Sequence, residues 1–244
     1  MTTFKQFLDE STSDKGIMKA LFIVGIPGAG KSYTVSKLKG TISPLVVNTD
    51  RATEFLSKKL DIPSNDETWK TVFRESSRRI TKSQLYNYLN GMLPLFVDGT
   101  SNDVSNVLGR AGLLKSIGYD VGMVFVETSL DVALARAKKR AEEIGRDVNP
   151  DFIRQVYKLS QDNKSYFEGE FDFFRTVNND PGELDDKALL KIFKEVQGFY
   201  NEPVKNLVGQ RTLNKLKLAE EKYLVPEIFD EEELKKKCDA WYRS

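Results

Sequence analysis

Residues 19–32 read Lys-Ala-Leu-Phe-Ile-Val-Gly-Ile-Pro-Gly-Ala-Gly-Lys-Ser. The first half is a short apolar, β-branched run, the pattern of a parallel strand buried on both faces. The second half, Gly25-Ile26-Pro27-Gly28-Ala29-Gly30-Lys31-Ser32, has the G-x-x-x-x-G-K-[ST] spacing of a phosphate-binding loop. Gly25, Gly28 and Gly30 lack a Cβ, so the backbone can turn tightly and aim its N–H groups inward. Lys31 supplies positive charge to the β- and γ-phosphates, and Ser32 offers a hydroxyl to Mg²⁺. Residues 31–39 read as a helix closed by Gly40, whose positive dipole end faces the same phosphates. Residues 25–33, Tyr33 included, are therefore the expected contacts of a nucleoside triphosphate, ATP with Mg²⁺.

Outward from this unit, strand and helix patterns alternate. Further strands are expected at Pro44–Asn48, Pro94–Asp98, Val121–Val126 and Phe171–Asn178. Helices are expected from Asn65 (an N-cap) through Trp69, Val72, Phe73, Ile80, Leu85 and Leu89 to Gly91, as one bent helix or two, and at 103–117, 129–145, 183–198 and 211–223. A further helix begins at Asn149-Pro150-Asp151, with proline at its first position. Thr128 and Asp131 have the spacing of a capping box for the helix at 129–145. This alternation implies a parallel five-stranded α/β sheet covered on both faces. The expected organisation is a tail at 1–16, one domain at 17–200 and a helical extension at 201–244. The extension, with Pro226 between its helices and acids at Asp230–Glu233, is expected to pack on the domain, on a protein partner or on a second copy.

Composition narrows the chemistry. The chain has 244 residues with 37 Lys+Arg against 36 Asp+Glu, so it is not a basic coat for nucleic acid, although a local basic groove is compatible. It has 0 histidines, which removes the usual general base and the commonest metal ligand, and leaves a carboxylate base and a hard, oxygen-bound metal. The 1 cysteine, Cys238, suits a reducing compartment such as cytoplasm. No apolar run is long enough for a membrane span, and the N-terminus lacks the apolar core of a secretory leader.

Several carboxylates and arginines are placed for phosphoryl transfer. Asp50 ends the second strand, where ligands gather in open α/β sheets, and can accept the proton of an attacking hydroxyl; as an aspartate at a helix start it would equally serve as an N-cap. Asp98 ends the third strand and can hold Mg²⁺ or orient the acceptor, or simply form an Asp-Gly turn. Thr100 and Asn102 can bind substrate hydroxyls or phosphates. Arg136 and Arg140 lie four apart on one helix face and can clamp transferring phosphates, or belong to a solvated charged face with Lys138 and Lys139. Arg146 follows in the loop.

Taken together, Gly25–Ser32, Asn48-Thr-Asp50, Phe96-Val-Asp-Gly-Thr100, Arg136-Ala-Lys-Lys-Arg140 and Val148-Asn-Pro-Asp-Phe-Ile153 resemble the P-loop kinases of the polynucleotide kinase and zeta-toxin type over about residues 17–180. The resemblance implies a three-layer α/β/α domain with a sheet of the adenylate-kinase kind and transfer of the ATP γ-phosphate to a hydroxyl. It makes Asp50 the base and Arg136 and Arg140 lid residues on the nucleotide. The acceptor it implies is a nucleic-acid or nucleotide hydroxyl, or a small molecule or sugar nucleotide as in the zeta-type toxins. In the nucleic-acid kinases an arginine closely following the base binds the acceptor phosphate; here Arg51 is adjacent, and one turn on stand Thr53 and Glu54. Residues 1–10 are similar to the capsid-targeting peptides of internal proteins in large tailed bacteriophages, cut after a motif that here would be Leu8-Asp-Glu10. That similarity implies packaging in a virion. A competing class of function is a nucleotide-switched assembly or virion protein that uses the C-terminal helices for a partner.

Overall fold

The computed structural model describes residues 14–38, 44–60, 73–144, 148–181 and 183–223. The proposed targeting peptide, Gly40, Asn65, Trp69, Val72, Arg146 and everything beyond residue 223 lie outside them. Five strands form one parallel sheet: β1 (Lys19–Gly25), β2 (Leu45–Val47), β3 (Leu95–Gly99), β4 (Asp120–Glu127) and β5 (Phe173–Asn178). Their spatial order is β2-β3-β1-β4-β5, so the strand that carries the glycine loop is central. The helices are α1 (Lys31–Leu38), α2 (Thr49–Leu60), α3 (Arg74–Asn90), α4 (Val104–Ser116), α5 (Leu130–Ile144), α6 (Pro150–Glu168), α7 (Asp186–Asn201) and α8 (Leu207–Tyr223). Among the described residues no helix is long and apolar enough to cross a membrane.

Every residue of β1 is buried, because its apolar run supplies both faces of the sheet. Ala20, Phe22 and Val24 pack into one layer with Val107, Ala111 and Leu114 of α4 and Phe167 of α6. Leu21 and Ile23 face the other layer, with Val35 and Leu38 of α1, Ile153 of α6 and Val196 and Tyr200 of α7. Each fully buried side chain of this size contributes about 1.5–3 kcal/mol relative to exposure. Register then lines up the strand ends: Ile23 pairs with Asp98 and Val24 with Gly99, while Val47 pairs with Val97. Asn48, Asp98 and the glycine loop therefore share the carboxyl rim of the sheet.

At the opposite rim Lys19, almost fully buried, donates to Asp120 at 2.6 Å. The same carboxylate accepts the backbone N–H groups of Lys205 and Asn206 at 2.8 and 2.7 Å, and Lys19 also donates to the Pro203 carbonyl at 3.2 Å. This knot fixes the segment leading into α8. Val204 joins the core there, and Leu213 packs against it. The helix start at residue 149 forms as expected, with the Asn149 side chain accepting from the Asp151 N–H at 2.8 Å.

The capping box expected from Thr128 and Asp131 does not form. Ser129 is the N-cap, its carbonyl accepting from the Ala133 N–H at 3.0 Å. The Thr128 hydroxyl and the Ser129 N–H both donate instead to Asp180, at 2.6 and 2.8 Å. A carboxylate from the end of β5 thus satisfies the start of α5, and it outcompetes the local box because it brings full charge to the helix N-terminus.

Candidate active site

The loop between β1 and α1 is held in shape by its neighbours. Gly28 has φ +84°, and a Cβ there would lie 2.4 Å from the Ala133 carbonyl oxygen of α5. Gly30 has φ +86°, and a Cβ would lie 2.1 Å from Nδ2 of Asn179. Both the backbone sense and the crowding demand glycine. The Gly30 carbonyl accepts the Thr34 N–H at 3.0 Å, which starts α1 and leaves the amides before it turned to the rim. Lys31 donates through Nζ to the carbonyls of Gly25 and Ile26 at 2.9 and 3.1 Å, so its ammonium sits inside the cradle. Ser32 and Tyr33 are exposed on the first turn of α1.

Asn179 and Asp180, just past β5, brace the cradle; the sequence reading missed both. Asn179 Nδ2 donates to the Ala29 carbonyl at 2.7 Å, and the Asn179 carbonyl accepts from Arg136 Nη2 at 2.8 Å. Nη1 of Arg136 is buried beside Gly30 and has no acceptor among the described residues. A phosphate oxygen in the cradle would satisfy it, so the glycine loop, Lys31 and Arg136 together fit a triphosphate. The Thr128 hydroxyl, then the Ser129 amide and hydroxyl and the Arg136 charge, hold the Asp180 carboxyl below the usual carboxylate range.

Asn48 organises the other half of the rim. Its Oδ1 accepts the Asp50 N–H at 2.7 Å, so Asn48 caps α2. Its Nδ2 donates to Asp98 at 2.5 Å. Asp50 thus stands within the first turn of α2, with the capping role taken by its neighbour.

Asp50 lines a cavity of about 690 Å³ together with Thr53 of α2, Thr100 of the β3 loop, Arg74 and Arg78 of α3 and Arg110 of α4. Asp98 is not among its lining residues; it lies behind, next to Asn48, and its charge partly offsets the lowering that burial imposes on the Arg110 guanidinium. Arg51 is exposed and does not line the cavity. Thr100 donates to Asn102 at 2.5 Å. Arg136 and Arg140 do not converge: Arg136 reaches the cradle, while Arg140 pairs with Glu54 of α2 at 3.6 Å, across the mouth between the two halves. Arg74, Arg78 and Arg110 were not read as site residues; the spacing of Arg74 and Arg78, four apart on one helix, was the available signal.

For the metal, Ser32 and Asp98 are the candidate holders. Among the described residues no group of three His, Cys, Asp or Glu side chains could bind an ion alone. A Mg²⁺ shell made mostly of phosphate oxygens and water fits such a sparse donor set.

The sequence model of the zeta toxin family matches residues 6–184. The chain belongs to the zeta toxin family. This family member is a P-loop kinase, a phosphotransferase built on a nucleotide-binding loop. Among solved structures, a candidate kinase from Chloroflexus aurantiacus is similar with a TM-score of 0.55 at 16% identity, covering 75% of this chain and 98% of the other. The PezAT chromosomal toxin–antitoxin system of Streptococcus pneumoniae is similar with a TM-score of 0.53 at 17% identity, covering 80% and 90%. A chain of the Pnkp1/Rnl/Hen1 RNA repair complex has a TM-score of 0.49 at 19% identity, covering 61% and 46%. At these identities the likeness of the first two is one of fold. No curated protein matches the kinase in sequence.

Proposed function

We propose that this kinase moves the γ-phosphoryl group of ATP to a hydroxyl of a nucleic acid or nucleotide seated beside Asp50. The observation that carries the reading is that Asp50 lines a cavity of about 690 Å³ on the same rim as the phosphate loop. Lys31 and the loop amides hold the phosphates. The Asp50 carboxylate takes the proton of the acceptor hydroxyl as its oxygen bonds to the γ-phosphorus; the bond to the β-bridging oxygen breaks and ADP departs. Arg136, already at the cradle, and Arg140, once it leaves Glu54, stabilise the charge that develops on the transferring group. Mg²⁺, when bound, neutralises charge between the β- and γ-phosphates, and Ser32 and Asp98 would hold it. Thr100 orients the acceptor from the cavity wall, and Asp98 acts on it indirectly through Asn48 and Arg110.

A second reading, a sugar-nucleotide acceptor, is supported by membership of the zeta toxin family and by a cavity sized for a small ligand. Incubation with γ-labelled ATP and either 5′-hydroxyl oligonucleotides or sugar nucleotides separates the two. Asp50→Asn is expected to lower transfer by about 10²–10⁴-fold while ATP binding persists. Undiminished transfer in that variant would refute Asp50 as the base.

A further inference from the structure

The loop between β3 and α4 forms one wall of the cavity beside Asp50, with Thr100, Asn102 and Asp103 lining it. Ser101, in the middle of that run, is fully buried and does not line the cavity. Its hydroxyl has no hydrogen-bond partner among the described residues. An unpaired hydroxyl removed from water is unfavourable, so the side chain of Ser101 does not hold this segment inward. Its backbone does: Nδ2 of Asn163 donates to the Ser101 carbonyl at 2.9 Å. Because Ser101 stands between Thr100 and Asn102, that bond sets where both lining side chains begin.

Asn163 belongs to α6, which is firmly anchored. The helix starts with an asparagine cap and Pro150 in its first turn. Its Ile153 and Val156 pack in the layer of α1, with Val35 and with Ala133 of α5. Its Phe167 packs in the opposite layer, with Val107 and Ala111 of α4. The helix therefore crosses the carboxyl rim from one face of the sheet to the other. Next to Asn163, Lys164 pairs with Glu127 at the end of β4 at 2.9 Å, with 28% and 24% of the two side chains exposed. The Glu127 carbonyl accepts the Asn179 N–H at 2.8 Å, and Asn179 in turn braces the glycine loop. One helix thus joins the supports of the phosphate cradle to the wall of the cavity. Groups carried on loops are held less precisely than groups on helices, and misplacing a reacting group by 1 Å costs about 10²-fold in rate. A bond from a helix to the loop backbone removes that looseness.

We infer that Asn163 is a positioning residue for the acceptor: through Ser101 it holds Thr100 and Asn102 in place relative to the phosphates in the cradle. The inference rests on the kinase reading above and adds to it a residue outside the cavity. Asn163 does not itself line the cavity, so its effect reaches the acceptor only through the loop.

The test uses the full chain, γ-labelled ATP, and whichever of a 5′-hydroxyl oligonucleotide and a sugar nucleotide takes the label. Asn163→Asp keeps the shape and removes the donor. Asn163→Ala removes the whole amide and serves if the first variant folds poorly. Each should lower kcat/KM for the acceptor by about 10-fold and leave ATP affinity nearly unchanged. The exposed Gln161→Ala, on the same helix, should match the wild type. Melting curves give the folded fraction to which the rates are referred. Thr100→Val supplies an independent readout. Since Asn163 acts through the loop that carries Thr100, the double variant should lose less than the product of the two single losses. An amide that merely satisfies a buried carbonyl would lower Tm and leave the acceptor kinetics of the folded enzyme intact, and that result overturns the inference. An equal fall in ATP affinity, or losses that multiply in the double variant, also overturns it. If transfer depends on Asp50 and not on Asn163, the positioning role fails and the kinase reading stands. If transfer survives Asp50→Asn, the reading of the base fails, while Asn163 is still decided by its own variants. No label on either acceptor overturns the acceptor reading and this inference together.

Discussion

Single side chains with two bonds hold this site together, and Asp180 is the most testable of them. Its carboxylate takes the Thr128 hydroxyl and the Ser129 amide at once. The lowered pKa means that its contribution is complete above the ordinary carboxylate range, about pH 4, and is lost as pH falls through the folded-state value. Asp180→Ala should therefore depress Tm by an amount that is constant from about pH 8 to pH 5 and shrinks in stronger acid. A melting difference that persists undiminished at the acid end would show that Asp180 acts by packing alone. The amide of Asn48 has the same double duty, to Asp50 and to Asp98, and it makes Asn48 the cap of α2. Nothing in the sequence distinguished Asn48 from the aspartate two residues on as the cap, because both residue types suit that position.

Among the elements, the strands were the most legible part of the chain. Runs such as Leu21-Phe-Ile-Val24 are apolar on both faces and can only be interior, so their order along the chain and their parallel sense followed from pattern. The glycine loop was legible for the same reason, as motif and context agreed. The helices of the acceptor side were less so. Arg74, Arg78 and Arg110 lie in segments read as helices from their apolar residues and stop signals, and which charged residues turn inward is decided by how α3 and α4 pack, a tertiary matter. Asn179 and Asp180 follow the strand read at Phe171–Asn178, and only the position of β5 in the sheet brings them beside the loop. The contact between α5 and α2 carries its own prediction. Arg140 and Glu54 are both about half exposed, so their ion pair adds under about 1 kcal/mol to stability. Glu54→Gln should leave Tm nearly unchanged and keep or raise kcat by releasing Arg140. Arg140→Ala should lower kcat, and steady-state kinetics with melting curves distinguish the two. A fall in kcat for Glu54→Gln as large as for Arg140→Ala would argue that the pair itself is the working state.

Across the whole molecule, the two rims of the sheet do different work. Chemistry gathers at the carboxyl rim, while the buried pair of Lys19 and Asp120 fastens the segment before α8 at the other. Lys19→Met would leave Asp120 buried with its two backbone donors only, and is expected to cost about 3–5 kcal/mol, a fall in Tm on the order of 10 °C. ATP affinity of the folded fraction should be unaffected, and a marked loss of affinity at low temperature would mean the rims are coupled. The order of the strands has a consequence for how the activity could change over time. The part of the rim that holds the glycine loop and Arg136 is assembled from two separate stretches, residues 19–38 and 120–180, whereas the described residues lining the cavity beside Asp50 all fall in the stretch between them, from Leu45 to Ser116. A single recombination event, or a deliberate graft of that one cassette, would readdress the enzyme to a new substrate without touching its fuel supply.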